Sequence, residues 1–285
     1  MAYPKTYPKV LTKAYPKVIG AINSFDIEID TTKTEVGSST SYTVILPLVS
    51  GLAYDFNIDW GDSLVESYDS SSLASITRTY SASGVYTIKI WGTFPRINYN
   101  NSAANDKLKI TKIKNWGIIE WSSLQTAFFG CANLVADYAD FPNLSAVTNT
   151  NTAFRNAVLW NGDLSSTNMD LVVDAGNMYY GASAFNQPFP NMPSVIVLNN
   201  TLRNTPFNQN IDNLTMLNVT SAINFMSGNT GFSQENYDSW LGVVDNTNVN
   251  SSVTAHFDSA TYTDTSGHDW LATTKSWSIT DGGAA

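Results

Sequence analysis

Asp59 and Asp62 flank Trp60-Gly61, and two carboxylates across a tight turn have two chemistries open to them. They can hold a calcium ion, or they can accept hydrogen bonds from the N–H groups of the turn itself. A hard cation asks for more converging oxygens than two, so both readings stand. His256 and His268 lie in the C-terminal segment, outside any metal or nucleophile motif. A serine, a histidine and an aspartate can be chosen at will from a chain this rich in hydroxyls, so that choice carries no information. Paired carboxylates for glycoside cleavage have no short signature. Cys131 is the only cysteine, which excludes an intramolecular disulfide and a cysteine-based zinc site. No catalytic residues are assigned, and a protein that is not an enzyme is expected.

Amides are the other recurrent functional groups. Asn186, Gln187, Asn208, Gln209 and Gln234 return at equivalent places along the C-terminal half. On an exposed face they would hydrogen-bond sugar hydroxyls, with Trp160, Tyr179 and Tyr180 stacking on sugar rings. Turned inward, they would form a ladder that satisfies backbone groups, as buried polar atoms must be satisfied. The inward ladder is the expectation for the asparagines. Trp160, Tyr179, Tyr180, Gln187 and Gln209 remain the candidate ligand contacts.

Residues 1–19 repeat a tripeptide, Tyr3-Pro4-Lys5, Tyr7-Pro8-Lys9 and Tyr15-Pro16-Lys17. Proline fixes φ and extends its predecessor, so the stretch is expected to be polyproline-like or β-like. It is either a plain terminal tail or a docking arm that orders on an acidic partner through Tyr3, Lys5, Tyr7, Lys9, Tyr15 and Lys17. The segment has no apolar core or cleavage signal, so classical secretion is not expected.

The bulk numbers narrow the class. Net charge is −9 over 285 residues, against the clustered basic surface that nucleic acid requires. Charged residues make up 14% and aromatics 12%, with Asn, Ser and Thr filling the polar positions, which suits extended β-rich surfaces and argues against disorder. No apolar run reaches membrane-spanning length.

The elements that must position these groups follow from periodicity. Phe25 to Ile29 alternates apolar and acidic, the mark of a half-buried strand. Tyr42 to Leu48 and Tyr54 to Trp60 read as further strands, and Ser75 to Tyr80 with Val85 to Trp91 as a closing hairpin around Ser83-Gly84. Residues 20–95 are thus expected to form an immunoglobulin-like β-sandwich.

Beyond about residue 105 the chain repeats itself. The block Phe129 to Leu134 matches Phe154 to Leu159, then Tyr180 to Phe185, Leu202 to Phe207 and Met226 to Phe232. The terminal apolar residues Leu134, Leu159, Phe185, Phe207 and Phe232 are expected to share one stacked spine. A second ridge is expected from Leu144/Val147, Leu171/Val172, Val195/Val197 and Leu217/Val219. A single buried Phe or Leu supplies only about 1.5–3 kcal/mol, so coils need neighbours and caps.

Two resemblances sharpen this. Phe56 to Asp62 followed by Thr79 to Ile88 resembles the PKD domain signature, with Thr77 or Arg78 where that family often has His. Met178-Tyr179-Tyr180-Gly181-Ala182-Ser183-Ala184-Phe185-Asn186-Gln187 resembles the unit of BspA-like leucine-rich repeats, as does Phe207-Asn208-Gln209-Asn210-Ile211 and, less closely, Phe232-Ser233-Gln234. Trp116 to Trp121 is similar to the cap that opens such arrays, and Trp277 to Gly283 to the one that closes them. The first two repeats lack the Phe-Asn-Gln core.

The resemblances imply a mainly β chain: an arm (1–19), a PKD-like sandwich (20–95), a linker and N-terminal cap (96–122), a short leucine-rich-repeat-like solenoid (123–250) and a C-terminal cap (251–285). They occur together in phages and in bacterial surface proteins. The expected function is therefore a virion-associated head fibre, decoration protein or tail adhesin, with a bacterial cell-surface adhesin as the alternative. Expected partners are capsid or tail proteins through the arm and a host-surface glycan or protein through the repeats, with no nucleic acid and no membrane insertion. Self-association stays open. No cofactor is expected apart from the calcium reading at Asp59 and Asp62.

Overall fold

Alternation along residues 25–30 produces β1 (Phe25–Asp30), in which Phe25, Ile27 and Ile29 are fully buried. The structure is a computed structural model that describes residues 23–100, 106–245 and 247–285. Tyr3, Lys5, Tyr7, Lys9, Tyr15 and Lys17 of the arm lie outside the described residues. After β1 come β2 (Thr43–Pro47), β3 (Tyr54–Asp59), β4 (Val65–Ser70), β5 (Ser75–Thr79), β6 (Val85–Thr93), β7 (Ile110–Asn115) and the short β8 (Val135–Ala136). They make a six-stranded sheet in the order β4-β3-β6-β1-β7-β8 and a separate pair β2-β5. The described chain is mainly β, with several sheets and no closed barrel.

The centre of the large sheet is β1, antiparallel to β6 with Ile27 opposite Ile88, and antiparallel to β7 with Ile27 opposite Ile113. The hairpin expected of residues 75–91 does not form. β5 pairs with β2, Leu46 opposite Ile76, while β6 enters the large sheet between β3 and β1. The connection crosses the core because Tyr80 anchors it: its ring stacks on Tyr86 at 3.7 Å and its hydroxyl donates to the Trp60 carbonyl at 3.0 Å. Strand β4 had no apolar alternation to announce it. It is held at the edge by its register with β3, Phe56 opposite Tyr68.

Residues 96–122, expected as linker and cap, contribute β7 to the sheet, and β7 pairs in parallel with β8 of the first coil, Lys112 opposite Val135. Sheet and coils therefore share one backbone ladder and one continuous apolar core. Just before β7, Asp106 and Lys109 are both fully buried and 3.1 Å apart. The Lys109 ammonium also donates to the carbonyls of Ser39, Thr40 and Thr43 at 3.1, 2.9 and 2.7 Å. Asp106 accepts from the N–H groups of Ser39 and Ile45, each at 2.8 Å. Paired and saturated with hydrogen bonds, the two charges are tolerated where a lone one would not be.

Each coil carries a five-residue corner bounded by two left-handed residues. These are Thr126/Gly130, Thr152/Asn156, Asn177/Gly181, Asn200/Asn204 and Asn224/Gly228. Gly and Asn are the residues that adopt this conformation cheaply. Between them sit the inward-facing Phe128, Phe154, Tyr179, Leu202 and Met226, all buried. Each gives its N–H to the next coil: Phe128 to Ala153 O (2.8 Å), Phe154 to Met178 O (2.8 Å), Tyr179 to Thr201 O (3.0 Å), Leu202 to Phe225 O (2.9 Å), Met226 to His256 O (2.9 Å). At Gly181 and Gly228 a side chain would also collide with the amides of Asn156 and Asn204, which lie over them from the preceding coil.

The second spine runs through Leu134, Trp160, Phe185, Phe207 and Phe232. Leu159, expected there, is 49% exposed, and Trp160 takes its place, fully buried against Phe154 at 4.2 Å. The turn fixes the register: Leu134, Trp160 and Phe185 each donate to the carbonyl three residues back, at Cys131, Ala157 and Ala182. Phe185 stacks on Phe207 at 6.1 Å, and Phe207 on Phe232 at 6.3 Å. The other ridge keeps Leu144/Val147 and the expected Val172, Val195 and Val219, but their partners are Met169, Met192 and Met216, with Leu171 and Leu217 turned outward and Val197 half-buried. Buried pairs three residues apart, closed by a Val N–H to the first residue's carbonyl, repeat in all four coils.

The stack ends on α1 (Gln234–Val244), capped by Ser233, with Tyr237, Trp240, Leu241 and Val244 on its buried face. A parallel pair, β9 (Thr254–His256) and β10 (Ser278–Thr280), a short α2 (Thr265–Asp269) and a π-turn (Trp270–Thr274) complete the chain. No described helix is long and apolar enough to cross a membrane.

Candidate binding face

The residue after each spine position is polar in the later coils: Asn161, Asn186, Asn208 and Ser233. The Asn161 side-chain oxygen accepts from Asn186 N–H at 2.9 Å, that of Asn186 from Asn208 N–H at 2.7 Å, and that of Asn208 from Ser233 N–H at 2.8 Å. A chain turning a corner exposes N–H groups that neither sheet nor helix satisfies, and one carboxamide per coil takes each of them. Gln209 belongs to this ladder too, since its Nε2 donates to Asn186 Oδ1 at 3.2 Å. Asn161 completes the set; a spine through Leu159 places Trp160, not Asn161, at the ladder position.

Beside this ladder lies a surface hollow of about 330 Å³, lined by Ala136 and residues 138–141 of one coil, Asn161 and Asp163 of the next, and Gln187 of the third. Three successive coils thus supply its walls. Tyr138 forms part of it, its ring 5.9 Å from Trp116 and 6.2 Å from Trp160, and its hydroxyl donating to Asp163 O at 3.2 Å. Burial raises the Tyr138 pKa, so the hydroxyl stays a donor. Asp140 is committed to the fold: its carboxylate accepts from Trp116 N and Gly117 N, the shortest at 2.7 Å. Asp163 Oδ1 accepts Ser165 N at 2.8 Å. The groups left to face a ligand are Asp163 Oδ2, the Asn161 Nδ2, the Gln187 amide and the ring of Phe141, which is 43% exposed. One carboxylate oxygen, two amides and an open aromatic ring can bind a polyhydroxylated molecule through hydrogen bonds and ring stacking.

Of the residues singled out by sequence, Gln187 lines this hollow. Trp160 and Tyr179 are fully buried spine residues and cannot stack on an external sugar. The repeat places them inside because their coils need large apolar side chains there. Tyr179 stacks on Phe185 at 3.8 Å, and burial raises its pKa. The Trp160 Nε1 and Tyr179 hydroxyl have no partner among the described residues. Tyr180 is at the surface, but both faces of its ring are covered, by Arg155 at 4.7 Å and Arg203 at 5.3 Å. Tyr138, Phe141 and Asp163 gave no sequence signal, since they fall in the irregular segments between repeating blocks.

The calcium reading at Asp59 and Asp62 gives way to the other one. Asp59 Oδ1 accepts Gly61 N at 2.9 Å and Asp62 Oδ1 accepts Leu64 N at 3.2 Å, while Arg78 pairs with Asp62 Oδ2, its Nε at 2.9 Å. A guanidinium already neutralises the carboxylate that a cation would need. Among the described residues no cluster of three or more His, Cys, Asp or Glu is placed to hold a metal ion. The histidines serve the C-terminal cap. His268 stacks on Tyr262 at 4.1 Å and lies 3.3 Å from Asp281, which also accepts the Tyr237 hydroxyl at 2.8 Å. His256 Nδ1 is 2.9 Å from Asn224 Oδ1.

Compared with known proteins, residues 97–201 match the family described as "Mycoplasma protein of unknown function, DUF285", which is compatible with BspA-like repeats. No curated protein matches the chain. No solved structure matches it either.

Proposed function

We propose that this chain is a non-enzymatic, virion-associated binding protein: a head fibre, decoration protein or tail adhesin of a phage. In this reading the N-terminal sheets are an immunoglobulin-like domain of PKD type. The coils are a short BspA-like leucine-rich-repeat solenoid that contacts a host-surface glycan or protein. The arm of residues 1–19 docks on capsid or tail proteins. The observation that carries the binding role is the hollow built from three successive coils, where an amide pair, one carboxylate oxygen and the Phe141 ring are left uncommitted by the fold. The rest of the polar inventory supports display over chemistry: Asp140, Asn186, Asn208, Asp281 and His268 hold backbone or neighbouring rings in place, and His256 pairs with the Asn224 side chain.

The second reading, a bacterial cell-surface adhesin, is favoured by the match of residues 97–201 to a mycoplasma family. Removal of residues 1–19 separates the two. A virion protein loses incorporation into its particle while the remainder stays folded by circular dichroism; unchanged incorporation, or the absence of any particle in the producing cell, overturns the virion assignment. The binding role itself is tested on a glycan array with the full chain and a Phe141→Ala/Gln187→Ala variant. Signal lost in the variant supports the hollow, and equal signal in both removes it.

A further inference from the structure

Between Lys114 and Lys275 the sequence contains two positive side chains, Arg155 and Arg203, among acids running from Glu120 to Asp269. Two cations scattered through so long a stretch have no reason to meet. They do: Arg155 and Arg203 occupy the same corner position two coils apart, and the coil between them places Tyr180 there. The guanidiniums cover opposite faces of that ring, at 4.7 and 5.3 Å from its centroid, and Arg155 also lies 5.8 Å from the Phe129 ring of the coil before. The register is set by backbone bonds, Gly130 N to Arg155 O, Asn156 N to Tyr180 O and Gly181 N to Arg203 O.

Neither guanidinium has a carboxylate within salt-bridge distance among the described residues, although the protein is acidic overall. The Nε atoms of both are buried without a hydrogen-bond partner, and the one bond made is Arg203 to Asn200 Oδ1 at 3.2 Å. Stacking on tyrosine fixes the planes of the two forks, so little freedom remains to be lost when an oxyanion binds. Next to them the side chains of Asn156 and Asn204 are exposed. We propose that Arg155, the Tyr180 hydroxyl and Arg203 form a recognition site for an acidic saccharide, with the guanidiniums on its anionic groups and Asn156 and Asn204 on its hydroxyls. The site shares no residue with the hollow. It rests on the reading of the coils as a recognition surface and names a ligand class for it. Two isolated arginines on an acidic chain do not make the continuous basic face that nucleic acid needs, whereas a sugar polymer carrying an acid every residue or two can present charge to both.

The test uses the full chain and three probes of equal length: an oligogalacturonate, a sulfated oligosaccharide and an uncharged malto-oligosaccharide. Calorimetric titration at low salt is expected to show either or both acidic probes binding at least about tenfold more tightly than the neutral one, with the advantage shrinking as salt rises. Which acidic probe wins distinguishes carboxylate from sulfate recognition. Arg155→Gln/Arg203→Gln is expected to erase that advantage. Arg155→Lys/Arg203→Lys is expected to retain only part of it, because charge survives and the fork does not. Circular dichroism and melting of each variant establish that it is folded. Equal binding of acidic and neutral probes, or a folded double glutamine variant that binds acidic probes like the parent, overturns the proposal. Neutral binding that depends on Phe141 and Gln187 but not on the arginines would overturn it while leaving the recognition surface intact. Failure to bind any of the probes, together with a blank glycan array, overturns both.

Discussion

The Lys109 ammonium and the Asp106 carboxylate lie 3.1 Å apart with no exposed side-chain surface on either, at the point where the N-terminal sheets meet the coils. Burial lowers the Lys109 pKa and Asp106 opposes that shift, so the pair is one unit held by the Ser39–Ile45 backbone. Removing one partner strands the other. Lys109→Met is expected to cost about 3–5 kcal/mol of unfolding free energy. Urea denaturation followed by tryptophan fluorescence measures it, and a loss below about 1 kcal/mol would mean that the charge is not locked in.

Spine register gives a paired prediction. Trp160→Ala removes a fully buried indole stacked on Phe154 and is expected to cost about 3–5 kcal/mol. Leu159→Ala, one residue away and facing solvent, is expected to change stability by no more than about 0.5 kcal/mol. Thermal melts of the two variants side by side decide it; similar losses would return Leu159 to the core.

The amide ladder and the hollow are separable in the same manner. Asn186→Ala leaves the Asn208 N–H and the Gln209 amide without their acceptor and is expected to cost about 0.5–1.5 kcal/mol. Gln187→Ala touches no hydrogen bond among the described residues, so its stability is expected to stay within about 0.5 kcal/mol while binding at the hollow falls. Equilibrium denaturation of both variants, read against glycan binding, is the comparison required.

Acid sensitivity should concentrate in the C-terminal cap. Asp238 Oδ1 accepts Thr263 N (2.7 Å) and Asp264 N (3.0 Å), and Oδ2 accepts the Thr263 hydroxyl (2.6 Å). Burial works to raise its pKa, but these hydrogen bonds outweigh it and the net shift is downward from 3.8. A depressed carboxylate pKa means that its stabilisation is complete above the ordinary value and is lost as pH falls through the folded one. Asp238→Ala is expected to loosen the 263–264 segment at neutral pH. Asp238→Asn, which can still accept from the backbone and donate to Thr263, should keep most of that stability and flatten its decline below pH 4. Hydrogen exchange at Thr263 and Asp264 across that pH range reads it directly, and an unchanged profile in Asp238→Asn would exclude Asp238 as the titrating group.

Coil periodicity was legible at Phe154, Leu202 and Met226, which are inward positions of one corner motif, but the sequence alignment fell one residue late at Phe129 and Tyr180, where Phe128 and Tyr179 are the buried residues. The error at Leu159 shows the limit. Two adjacent large apolar residues satisfy the same pattern, and only the turn bond from Trp160 N to Ala157 O selects between them. Strand pairing was less legible than strand existence. β5 and β6 are separated by a short Ser-Gly loop that suits a hairpin, yet each finds a better apolar partner in a different sheet. The hollow was hidden for another reason: Tyr138, Asn161 and Gln187 are distant in sequence, and only coil stacking brings them to one place.

The stack runs from the pairing of β7 with β8 at one end to that of β9 with β10 at the other, where β10 is the terminal strand. A whole turn is the natural increment of length between these two pairs. Duplicating or deleting a whole turn of about two dozen residues would move the β7–β8 and β9–β10 pairs apart or together by roughly 4.8 Å, the spacing of neighbouring strands, without rebuilding either pair. Such a molecule is an adjustable spacer: its reach can drift in evolution by fixed increments while the parts that make it fold stay constant.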